Sequence, residues 1–165
     1  LARLTDPRDL QPAFRRTFET IGTAKVATSA EEGRDLGFLR PGDTWSMHRD
    51  HVPADAKDIA LAMARGGFEP PAERTAIPVM GTAGIALAES VLYNMEQAGY
   101  ATAHDRKLGL VLANVLSGGA VPPGSTITEQ EMLALEREGF MRLIGEPKTL
   151  ARMESLMKSG KPLRN

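Results

Sequence analysis

Residues 126–165 read Thr126-Ile-Thr-Glu-Gln-Glu-Met-Leu-Ala-Leu-Glu-Arg-Glu-Gly-Phe-Met-Arg-Leu-Ile-Gly145, then Glu146-Pro147-Lys148-Thr149-Leu150-Ala151-Arg152-Met153, and close on Gly160-Lys161-Pro162-Leu163-Arg164-Asn165. Thr128 and Glu131 have the spacing of a capping box, with Ile127 and Met132 placed as a hydrophobic staple. Leu133, Phe140 and Ile144 keep helical spacing, and Met132, Leu135 and Leu143 widen the stripe. Gly145 stops this helix, and Pro147 fits the first turn of the next. Leu150, Met153, Leu156 and Met157 give the second helix an apolar stripe, which Gly160 and Pro162 end. The expectation is a helical pair packed on something else.

The rest of the chain carries the same kind of signal. Leu10, Phe14, Thr17, Phe18 and Ile21 mark a helix ending near Gly22, after a polar lead-in over residues 1–9 that contains Pro7. Arg15 and Arg16 read as solvating one face of it. Residues 23–28 form a connector. Ser29 and Glu32 predict a second capping box and a short helix to Leu36, with Gly37 as a left-handed cap and Phe38 and Leu39 folding back. Arg40-Pro41-Gly42-Asp43 is a turn by composition. Thr44-Trp45-Ser46-Met47 has some extended character but is too short to argue a sheet. An alanine-rich helix spans 52–64, with Pro53 at its start and Ala56, Ile59, Ala60 and Met63 on one face. Gly66-Gly67 ends it. Residues 67–80 hold three prolines and read as an extended crossing segment, where an internal boundary is most expected. Thr82 is expected to cap a helix bearing Ile85, Ala88, Val91, Leu92 and Met95. Gly99-Tyr100 closes that helix. Thr102 with Asp105 opens another, whose stripe is Leu108, Val111, Leu112, Val115 and Leu116. The sum is about seven helices and no convincing strand, an all-α class arranged as an irregular bundle in one compact unit overall.

Composition limits the function. Of 165 residues, 20 are Lys or Arg and 21 are Asp or Glu, a net charge of -1, which disfavours a general nucleic-acid or membrane-surface binder. No cysteine occurs, so disulfides, thiol nucleophiles and thiolate metal sites are excluded, in keeping with a reducing, cytoplasmic setting. No apolar run approaches the roughly 18 residues that a membrane span needs. No signal-peptide pattern is present. The first residue is Leu1 rather than Met, so a trimmed or excised piece is expected.

Four places invite a chemical reading. His48-Arg49-Asp50-His51 offers metal-ligating types, but its spacing fits no complete ligand set, and a polar loop ahead of a helix is the simpler reading. Gly81-Thr-Ala-Gly84 superficially resembles a dinucleotide loop. It lacks the tight Gly-x-Gly and the third glycine, and Pro78 fits poorly in a central strand before it. His104-Asp105 are neighbours in a first helical turn, where Asp105 suits the helix dipole and the two side chains do not face each other. Glu136-Arg137-Glu138 is expected to turn one charged pair inward to fix packing rather than to act as acid or base. The eight methionines are expected to fill the core. No Gly-x-Ser-x-Gly, Walker loop or His-Glu-x-x-His occurs. The expected catalytic set is therefore empty, as is the metal set.

Two stretches carry a resemblance. Ala13 to Leu39, which contains Ser29-Ala30-Glu31-Glu32-Gly33-Arg34-Asp35-Leu36-Gly37-Phe38, resembles the segment after the catalytic core of the enoyl-CoA hydratase (crotonase) family. Gly33 stands where that pattern favours alanine. Asp55 to Ala62 resembles the alanine-rich helix that follows there, and the tail resembles the closing helices. More closely, nearly everything from residue 10 onward resembles the C-terminal portion of a bacterial type of 3-hydroxyacyl-CoA dehydrogenase, in which an NAD-binding dehydrogenase half precedes a hydratase-like half. Arg74-Thr-Ala-Ile-Pro-Val79, Gln97-Ala-Gly-Tyr100, His104-Asp105, Glu136-Arg-Glu138 and Gly145 to Arg152 carry that match, with Gly160 to Asn165.

The resemblance implies fatty-acid β-oxidation, with NAD used by the parent protein and none bound by this region. It implies partition into 1–67 (hydratase-like helices), 68–125 (a helical insertion) and 126–165 (the closing pair). The implied partners are the upstream dehydrogenase and hydratase-like domains, the acyl-CoA substrate and further copies of the same chain. Lys161 matches a lysine that approaches the CoA phosphates, against the plain alternative of a solvated lysine. The expected function is a supporting region, inactive alone. The alternative is a free-standing helical interaction module. A small enzyme using His48, His51 or His104 is disfavoured by the lack of a complete constellation.

Overall fold

The computed structural model describes residues 9–161 and 163–165. Residues 1–8 of the lead-in read over 1–9, and Pro162 read as a helix stop, lie outside the described residues. Seven α-helices and two very short strands follow in the order α1 (Gln11–Gly22), α2 (Ala30–Asp35), α3 (Val52–Arg65), β1 (Ile77–Pro78), α4 (Thr82–Gln97), α5 (Ala103–Leu116), β2 (Thr126–Ile127), α6 (Glu129–Ile144) and α7 (Pro147–Ser159) among the described residues. The fold is all-α. Where one compact unit was expected, the chain forms two: Lys25–Glu73, and Leu1–Ala24 with Arg74–Asn165. Both junctions fall in segments read as connectors.

In the larger unit the centre is α5, which packs against α1, α4 and α6. Its period predicts this, because Val111 and Ala113 are buried and most neighbouring positions half-buried. Phe14, Ala88 and Ala113 form the innermost cluster, with Phe18, Met80, Leu87 and Leu116 against it. Each large apolar side chain fully covered in this way contributes about 1.5–3 kcal/mol. Two glycines set the helix spacing. A Cβ on Gly109 would stand 2.7 Å from Leu92 Cδ1, and one on Gly139 2.7 Å from Val111 Cγ1, so α4 and α6 both approach α5 closely.

The crossing segment is tied down more firmly than its prolines suggest. Ile77 pairs with Ile127 and Pro78 with Thr126, antiparallel. The Val79 amide donates to Ser125 O at 3.0 Å, and the Glu129 amide to Arg74 O at 2.8 Å. Pro78 is tolerated because a two-stranded ladder is all edge. The stretch at 44–47, read as extended, contains no strand.

Several local readings need correction. Gly81, not Thr82, is the N-cap of α4, with φ +56°. The carboxylate of Glu32 bonds the amide and hydroxyl of Thr28, at 2.7 and 2.6 Å, rather than the Ser29 amide. In α6 the inward positions are Met132, Leu135, Gly139 and Leu143, while Leu133 and Phe140 are exposed. The close approach permitted by Gly139 selects that face. Glu136, Arg137 and Glu138 are all exposed, so none forms a buried pair. Six of the eight methionines are also exposed: Met47, Met63, Met95, Met141, Met153 and Met157.

In the smaller unit, Ser29 caps α2, and Gly37, at φ +82°, lets the amides of Phe38 and Leu39 bond Gly33 O at 2.8 and 3.1 Å. The guanidinium of Arg34 lies 4.2 Å over the Trp45 ring. Helix α3 has no buried residue, and Val52, Ile59, Leu61 and Met63 are all exposed.

Candidate functional site

The densest polar constellation joins α5, α7 and residues 163–165. It begins with local chemistry. Thr102 accepts from the Asp105 amide at 3.1 Å, and the Asp105 carboxylate accepts from the Thr102 amide at 2.8 Å, a full capping box at the helix start expected there. The second Asp105 oxygen is then free to take Arg152 Nη1 of α7 at 2.6 Å. Arg152 uses the rest of its fork on Asn165, through Nε to Oδ1 at 2.8 Å and Nη2 to the main-chain O at 3.2 Å, and reaches Thr102 Oγ1 at 3.3 Å. The planar guanidinium suits this role, since it offers several donors in one rigid plane. Asn165 donates to Lys148 O at 3.2 Å, and Arg164 to Tyr100 O at 2.9 Å.

His104 lies beside this clasp. It is 4% exposed, with Nε2 3.1 Å from Thr149 Oγ1. Lys107 donates to Glu146 at 2.5 Å. Burial pushes the His104 ring below its usual range, and Arg152 and Lys148 push it further. For Asp105, burial acts upward but is outweighed by the Thr102 amide, Arg152 and the Thr102 hydroxyl, so its carboxyl lies below the ordinary value. Lys107 likewise holds Glu146 low.

These bonds clasp α7 and residues 163–165 to α5. A hydroxyl and an imidazole are within reach, as a nucleophile and base require. The ring is covered, however, and Asp105 is turned to Thr102 and Arg152, leaving it unavailable to orient His104. His104 and Asp105 thus take separate partners, as their adjacency in the helix predicts. The partners Thr149 and Arg152 were missed in the sequence. Their signal was the i, i+3 spacing on the side of α7 away from its apolar stripe. That stripe points outward: Leu150, Met153, Leu156 and Met157 are all exposed.

The other candidates do not join the clasp. Lys161 is exposed just after the left-handed Gly160; its amide donates to Ser159 Oγ at 3.2 Å, and its carbonyl accepts from Ser155 at 3.1 Å. His48 and His51 have ring centroids 4.9 Å apart, and His48 Nδ1 accepts from the Asp50 amide at 3.3 Å, so it caps a 3₁₀ turn. Among the described residues no three His, Cys, Asp or Glu side chains converge as a metal site. Arg15 and Arg16 line an open depression on α1 with Gln11, Pro12 and Glu19. At the start of α4, the amides of Gly81 and Thr82 are already bonded to Ser117 O and Val121 O, both at 2.9 Å. Among the described residues no helix is long and apolar enough to cross a membrane.

No family profile matches the chain, and no solved structure does. A curated protein of Bacillus subtilis (strain 168), described as a probable 3-hydroxyacyl-CoA dehydrogenase, is 40% identical over all 165 residues. The match takes in 100% of this chain but 20% of that protein, so the chain spans about a fifth of its relative's length. The chain is therefore similar, from end to end, to one segment of a probable 3-hydroxyacyl-CoA dehydrogenase.

Proposed function

We propose that this chain is a helical supporting region of a 3-hydroxyacyl-CoA dehydrogenase of fatty-acid β-oxidation, without catalytic activity of its own. The observation that carries the reading is the 40% identity sustained over the whole chain. In this reading NAD and the reacting groups belong to other parts of the parent protein, a dehydrogenase half and a hydratase-like half. The amides of Gly81 and Thr82 at the start of α4, already bonded to Ser117 O and Val121 O, support that assignment. The partition into 1–67, 68–125 and 126–165, a cytoplasmic location and association with further copies belong to the same proposal.

Lys161 is assigned to the border of the acyl-CoA pocket. Its exposed side chain follows a helix end fixed by Gly160, which suits a contact with a CoA phosphate. The test is titration of the chain with acetoacetyl-CoA, with and without NADH, followed by calorimetry and NADH absorbance. Weak binding without turnover is expected, and Lys161→Ala should weaken it several-fold. Turnover would overturn the supporting role, and binding indifferent to Lys161→Ala would remove that residue from the pocket border.

A second reading, a free-standing helical interaction module, is favoured by the exposed apolar residues of α3, α6 and α7. The length of the native gene upstream of Leu1 separates the two.

A further inference from the structure

Helix α7 is docked by its polar side. Thr149, Arg152 and Ser155 are partly covered, while Leu150, Met153, Leu156 and Met157 face outward. What holds α7 to α5 is therefore a set of hydrogen bonds and charges, with little buried carbon. At their centre is His104, nearly fully covered and bonded to Thr149. The surrounding charges are known from each side. Lys107 and Asp105 stand on α5, and Lys148 and Arg152 on α7. Glu146 lies in the turn before α7, with Arg142 of α6 acting on it. Both carboxylates are already taken, Asp105 by Thr102 and Arg152, and Glu146 by Lys107. A proton arriving on the ring would meet Arg152, Lys148 and Lys107 against one opposing carboxylate, Glu146, which Lys107 already holds.

We propose that the His104–Thr149 contact is an acid-released latch: α7 sits on α5 while the ring is neutral, and protonation of the ring frees α7 together with residues 163–165. Neutral His104 accepts from or donates to the Thr149 hydroxyl at no charge cost. The charged ring keeps only its donor role, is desolvated, and is repelled by Lys107, Lys148 and Arg152. The direction of its titration agrees, because burial and then Arg152 and Lys148 lower its pKa from the ordinary 6.5. A depressed histidine binds its proton more readily once released. Its contribution to docking is thus fully present above about pH 6.5 and lost as pH falls from there through the lower, docked-state value.

Amide hydrogen exchange of the full chain between about pH 7.5 and pH 5.5, corrected for intrinsic exchange rates, reads the latch directly. The opening equilibrium of α7 should rise by at most about tenfold per pH unit, while that of α4 stays level. His104→Gln retains a side-chain amide but cannot titrate, and should abolish the slope in α7. An equal slope in His104→Gln, or a level α7 in the native chain, overturns the proposal. The His104 ring resonance in the unsubstituted chain gives an independent reading should the variant not fold. A midpoint below the ordinary histidine value, with α7 amide shifts moving in step, supports the latch. A midpoint at or above that value overturns it.

Discussion

At Gly81 the backbone holds φ +56°, and a Cβ there would stand 2.1 Å from Val121 O and 2.7 Å from Pro122 O. Both obstacles are main chain, so neither can swing aside. Gly81→Ala should cost about 3 kcal/mol or more, measured as a lowered denaturation midpoint. Gly33 is the opposite case. It sits inside α2 with an ordinary helical backbone, and a Cβ there would meet Leu39 Cδ1 at 3.4 Å, an ordinary contact. Gly33→Ala should therefore stabilise by up to about 1 kcal/mol, by removing unfolded-chain entropy and favouring helix. Read from the sequence, Gly33 was only a departure from a pattern, and Gly81 only a weak motif. The difference between them is a carbonyl forty residues away along the chain, which no local pattern reports.

Among the elements, helix ends were the most legible part. Thr102 with Asp105 and Thr128 with Glu131 form full capping boxes, and Gly37, Gly99 and Gly160 take the left-handed conformation at helix ends. These signals are local, so they survive without tertiary knowledge. Helix faces were less legible. On α6 the larger residues Leu133 and Phe140 outvoted Gly139 in the sequence pattern, yet the small residue is what lets α6 touch Val111. On α7 the apolar stripe was read as the packing side, and the packing side is the polar one. The clasp was out of reach because Asp105 and Arg152 are 47 positions apart. Arg152→Met should destabilise the chain by about 1–3 kcal/mol, since it removes the donor that Asp105 Oδ1 and Asn165 share. The same variant should return the Asp105 carboxyl toward its ordinary range, measurable by carboxyl-carbon NMR.

At the scale of the whole molecule, the all-α class followed from helical periodicity. Residues 68–73 carry no regular structure and are exposed, and so are residues 25 and 26. Limited proteolysis should cut first in these two segments and leave α4, α5 and α6 protected; early cleavage within α5 would contradict the position of the core. The division into two units was not legible, because connectors mark where contacts thin out but not how the pieces cluster.

The outward stripe of α7 bears on how the chain answers temperature and salt. Heat-capacity change on opening tracks the apolar surface newly wetted, and α7 wets little on leaving α5 because its carbon already faces out. Its release should therefore vary almost linearly with temperature, while the packing of α1, α4 and α6 around α5 follows the usual curved dependence. Cooling that weakens the apolar centre would leave the clasp nearly untouched, and added salt would do the reverse. The two layers of this fold thus answer to different solvents.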